Sequence, residues 1–87
     1  MSAHTPHALH EEFPHDAAAL QRLKRDDAHF ARLAERYHVV NREIHRIAAE
    51  IDAASDERTE ALKRERLHLL DAIAEMLEQE QPGLTPA

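Results

Sequence analysis

The large apolar residues of this chain fall on two lines separated by a short interruption. Along the first, Phe30, Leu33, Tyr37, Val40, Ile44, Ile47 and Ile51 succeed one another at steps of 3, 4, 3, 4, 3 and 4. That alternation is a heptad repeat, the pattern that keeps one narrow stripe of an α-helix facing a partner helix. Leu23 extends the line upstream, with Asp26 in the intervening position. The pattern predicts a helix from about 16 to 53, roughly 55 Å long at 1.5 Å per residue. An isolated amphipathic helix of that length needs something to cover its stripe. Along the second line, Leu62, Leu69, Ile73 and Met76 define a seam with Arg66 inside it, which predicts a helix over about 56–80. Leu67, Leu70, Ala74 and Leu77 add a neighbouring stripe, so this apolar arc is wider than one partner requires.

Between the two lines, Ala53-Ala54-Ser55 interrupts the spacing. Ser55 with Asp56 and Glu57 after it has the form of an N-cap with acids in the first turn, where the helix dipole favours them. A connection at 53–55 makes the chain an antiparallel hairpin. One continuous helix is the competing arrangement, because the eleven residues from Ile51 to Leu62 are close to three helical turns. Upstream, Pro6 and Pro14 and scattered apolar groups suggest a mobile, histidine-rich tail over 1–15, with Asp16 as a cap for the first long helix. Residues 81–87, QPGLTPA, end the second helix as a C-terminal tail.

Charge supports the hairpin. Residues 17–53 carry seven Lys/Arg and six Asp/Glu, whereas 54–81 carry four and eight. Opposite charges flanking a seam select partner and orientation. In a hairpin Arg32 and Arg36 are expected near Asp71, Glu75 and Glu78.

With 87 residues the chain forms one small domain, whose monomeric core is marginal. There is no cysteine, hence no disulfide framework, thiol nucleophile or thiolate metal site. No stretch approaches a membrane span, and the N-terminus lacks the form of a secretory signal. The expectation is a soluble cytoplasmic protein. The net charge of −6 weighs against non-specific nucleic-acid binding.

Two runs, RLKRDDAHFARLAERYHVVNREIHRI (22–47) and ALKRERLHLLDAIAEML (61–77), resemble the YdcH-like family of small bacterial proteins, a domain of unknown function. The resemblance rests on Leu23-Lys24, Asp27, His29-Phe30, Leu33, Tyr37, Ile44, Leu62-Lys63, Arg66-Leu67, Leu69, Asp71, Ile73 and Met76-Leu77. The family usually has Lys where this chain has Leu70. The resemblance implies a cytoplasmic α-helical hairpin or coiled coil and transfers no catalytic residue.

Candidate chemistry is sparse. His4, His7 and His10 are spaced for metal binding on a helix, but Pro6 lies among them. Glu35-x-x-His38 and Glu65-x-x-His68 match the spacing used in di-iron bundles, yet the seam places both pairs on outer faces. Arg22, Arg25, His29, Arg32 and Arg36 repeat at 3, 4, 3 and 4 as a basic stripe. The stripe could meet an anionic partner such as nucleic acid, or it could pair with the acidic second helix. Asp26 and Asp27, in or beside the seam, and Asn41 beside it suit register-setting more than catalysis. Tyr37 suits packing with its hydroxyl reaching water.

Taken together these features describe an all-α helical hairpin without enzymatic activity, cofactor or metal. The wide arc suggests a homo-oligomer, most simply a dimer closing a four-helix bundle through Leu67, Leu70, Ala74 and Leu77. The function expected is that of a small interaction or adaptor protein with an unidentified protein partner. The alternative is a nucleic-acid-associated regulator.

Overall fold

A computed structural model describes residues 7–80. They form four helices, α1 (Leu9–Glu12), α2 (Ala17–Asp26), α3 (Ala28–Ala48) and α4 (Asp56–Glu80), and no strand among the described residues. The fold is all-α. Helices α3 and α4 make the antiparallel hairpin, and α2 packs against both. Residues 81–87 and the first six lie outside the described residues.

The hairpin seam is built from the heptad line. Phe30, Tyr37, Val40 and Ile73 are fully buried, and Ile44, Leu62 and Leu69 join them. Leu33, Ile47 and Met76 are only partly buried, at the margins of this core. Ala34, which lies between heptad positions, is also buried. A small side chain there lets another helix approach closely on that side of α3.

The helix expected over 16–53 is interrupted twice. The first break is at Asp27, which ends α2 and starts α3. Its backbone N–H donates to the Leu23 carbonyl at 2.9 Å, and its carboxylate accepts the Phe30 N–H at 3.1 Å. An aspartate with an extended backbone is a strong N-cap, and here the cap outweighs continuity of the pattern. The chain reverses at this residue, so that Lys24 and His38 line one depression. Leu20 and Leu23 are thereby buried in the same molecule.

The second break ends α3 at Ala48 rather than 53. The N–H of Ile51 donates to the Arg46 carbonyl (2.9 Å) and that of Glu50 to the Ile47 carbonyl (3.0 Å). With Glu50 at φ 62°, this is the Schellman arrangement that satisfies terminal carbonyls of a helix. The left-handed residue turns Ile51 out of the seam, leaving it 66% exposed. Ile51 is therefore not a seam residue. Ser55 caps α4 as its position suggests: its Oγ accepts the Arg58 N–H at 3.1 Å.

The tail expectation is also corrected for residues 7–15. Leu9 is buried and Phe13 is packed against the core. The physical reason lies in α2: once it folds back, Leu20 on α2 and His38 on α3 border one depression, and Leu9 lines it with them. Asp16 stands at the start of α2 with its carbonyl accepting the Leu20 N–H at 2.8 Å.

Candidate interaction site

Of the four residues expected to support self-association, Leu77 is buried within the chain and Leu70 is packed against the core. Ala74 and Leu77 border a depression with Phe13 and Asp16, so the N-terminal arm has taken much of this stripe. Leu67 remains 57% exposed. The extra apolar width of α4 is thus largely spent on the reversed arm rather than left open.

The basic stripe is divided by the break at Asp27. Arg22 and Arg25 lie on α2, while His29, Arg32 and Arg36 lie on α3. Arg22 donates to Glu80 at 2.6 Å, Arg25 to Asp26 at 2.9 Å, and Arg36 grips Glu65 with two bonds of 2.6 and 2.9 Å. Arg36 therefore meets Glu65 rather than Asp71, Glu75 or Glu78, because the hairpin register also sets Arg58 against Glu43. The hydrogen bond from Arg36 holds the Glu65 carboxyl below its usual range, and the bond from Arg25 does the same for Asp26. These are surface pairs, which fix geometry more than they stabilise. His29 and Arg32 are exposed.

Inside the seam one polar contact replaces apolar packing. Asn41 is 2% exposed, and its Oδ1 accepts from Arg66 Nη1 at 3.0 Å. The heptad pattern puts Asn41 beside the seam and Arg66 within it. Their contact across α3 and α4 penalises any slip in register that would bury either group alone.

The arm covers the Tyr37 hydroxyl, expected to reach water, and the His38 ring, expected on an outer face. Tyr37 is fully buried and its hydroxyl donates to the His7 carbonyl instead of reaching water. Burial, reinforced by Glu12 and opposed by Arg66, pushes its hydroxyl up to about 12. His38 is half-buried against Leu9, His10, Leu20 and Lys24, not on an outer face. Burial first, then Lys24, Arg42 and His10, lower its pKa, while Glu35 alone opposes them. Neither Glu-x-x-His pair points into a shared interior: Glu65 is held by Arg36, and Glu35 and His68 are exposed. Among the described residues no three His, Asp or Glu side chains gather as a metal site. His4 of the histidine triplet lies outside the described residues, and His7 bonds Glu12 at 3.2 Å.

The most exposed large apolar side chain among the described residues is presented by the hairpin turn. Ile47, Glu50, Ile51, Asp52, Ala53 and Ala54 line an open depression of about 410 Å³ at this tip. Arg46 fastens the turn by bonding both Asp52 oxygens, at 2.8 and 3.3 Å, which also lowers the Asp52 pKa. Glu50 and Asp52 give this apolar spot an acidic rim, in which Asp52 is already paired with Arg46. Sequence reasoning misses it by placing Ile51 in the seam. The signal is the helical pattern continuing into a segment with no further large apolar residue before Leu62.

No described helix is long and apolar enough to cross a membrane. The molecule is thus an α-helical hairpin with a reversed N-terminal arm. Residues 30–77, the hairpin proper, match the family described as Protein of unknown function (DUF465), and the chain belongs to that family. This agrees with the YdcH-like resemblance. No curated protein and no solved structure matches the chain.

Proposed function

We propose that the chain is a non-enzymatic helical interaction protein that binds a protein partner through the hairpin tip. The observation that carries this is Ile51, 66% exposed on a turn fastened by both backbone and side-chain bonds. A third of Ile51 is already covered, so burying the rest on docking contributes about two-thirds of a full transfer free energy, roughly 1–2 kcal/mol. The acidic rim favours an apolar partner pocket edged with Lys or Arg.

A photo-crosslinking residue at position 51 tests the proposal, with the same residue at exposed position 64 on α4 as reference. A discrete adduct at 51, absent at 64 and abolished by Ala53→Asp, which sets a charge in the apolar spot, supports it. Equal labelling at both positions refutes it. A salt-sensitive RNA gel shift lost on Arg32→Ala would favour the nucleic-acid alternative instead.

A further inference from the structure

We propose that the arm of α1 and α2 exchanges between two copies of this chain, giving a reciprocal dimer hinged at Asp27. Asp27 is the single non-helical residue between α2 and α3. Leu20, Leu23, Asp27, Phe30, Ala34 and Tyr37 are spaced at steps of 3, 4, 3, 4 and 3, as on one continuous helical face. All five apolar members are buried although the chain reverses between them. The stretch 17–48 contains no Gly or Pro. Turning Asp27 from φ −124° and ψ 108° to helical values joins α2 and α3 into one amphipathic helix of about 48 Å.

Opening uncovers Leu20 and Leu23 on the arm and Leu77 on the hairpin it leaves. Each surface is the complement of the other, so the occupant that fits the vacated surface is the arm of a second copy. The exchanged arm remakes the same contacts, including Arg22 with Glu80. What differs is the hinge: the Asp27 cap is exchanged for continuous helix. Hinges this short are a recognised route to exchange between protomers. The exchange does not depend on the hairpin tip, since Ile51 lies at the opposite end of α3.

The chain has no cysteine, which allows a direct test. Arg22→Cys and Glu80→Cys chains are mixed at high concentration, equilibrated and treated with a short bis-maleimide. A closed monomer cannot join two singly substituted chains specifically, whereas the exchanged dimer places 22 of one beside 80 of the other. The control mixes Arg22→Cys with Glu57→Cys, at the far end of α4. The expected result is a covalent 22–80 dimer well above the 22–57 background. Asp27→Leu, which removes the cap and completes the apolar line, should raise the dimerisation constant at least about tenfold, because each dimer has two hinges. Asp27→Ser, which retains a cap, should behave as wild type. A 22–80 yield no greater than the control in the wild-type background overturns the proposal, whatever the folding of the variants. So does a dimer that forms without that cross-link.

Discussion

Glu50 occupies the left-handed region at φ 62°, where its Cβ crowds the following carbonyl. For an L-residue this costs roughly 1–2 kcal/mol, whereas glycine adopts it freely. The Glu50 side chain is exposed and makes no hydrogen bond or ion pair with any described residue, so little else is lost on its removal. Glycine's extra freedom in the unfolded chain takes back part of the gain, about 0.5–1 kcal/mol. Glu50→Gly is therefore expected to stabilise the fold by about 0.5–1 kcal/mol, a rise of roughly 2–8 °C in Tm for a domain of this size. Glu50→Ala keeps the Cβ and is expected to give no comparable gain. Urea denaturation monitored by circular dichroism at fixed low protein concentration reads both, with unchanged m-values required for the comparison. Destabilisation by Glu50→Gly, or equal effects of glycine and alanine, would refute the claim that the Schellman turn holds a strained residue.

Tyr37 is the chain's single tyrosine, so absorbance near 295 nm reports it alone. Its ionisation should centre at about 12 in the folded protein and at about 10 in denaturant, where burial is lost; a folded-state midpoint near 10 would place the hydroxyl in water. The raised value means the folded state holds the proton more tightly, so stability falls as pH rises above 10. His38 runs in the opposite direction. Its folded pKa is lowered, so the unfolded chain binds more protons as pH drops through and below about 6.5, and stability declines there. His38→Gln should flatten that part of the stability profile, and an unchanged slope would show that other groups carry it. Asn41→Ala should cost about 1–3 kcal/mol by leaving Arg66 without its buried acceptor, while Asn41→Leu with Arg66→Met should recover most of the loss. Additive losses in that double variant, measured by denaturation, would refute the coupling.

The helical class, the hairpin seam and the cap at Ser55 are legible in the residues, because each depends on local spacing. A 3–4 alternation of large apolar groups has only one regular conformation that keeps them together, and Ser-Asp-Glu suits a helix start whatever surrounds it. The points where α3 begins and ends are not legible in the same way. At Asp27 the pattern and the cap favour different outcomes, one continuous helix or a break. The burial of Leu9, Leu20, Leu23 and Leu77 together, which no local spacing encodes, favours the break. At Glu50 a residue with no turn propensity takes a glycine-like conformation because Arg46, Ile47 and Asp52 fasten the turn around it. That contact network moves Ile51 from the seam to the tip.

The sequence by itself determined two amphipathic helices, an excess of apolar surface on the second, and the absence of cysteine chemistry. Only the tertiary structure decided what covers the excess. The reversed arm does so within one chain, enclosing Tyr37 and His38 and setting Arg22 of the basic stripe against Glu80. The reason is that periodicity records which residues avoid water, while the choice of their cover depends on competing surfaces brought together from distant parts of the chain.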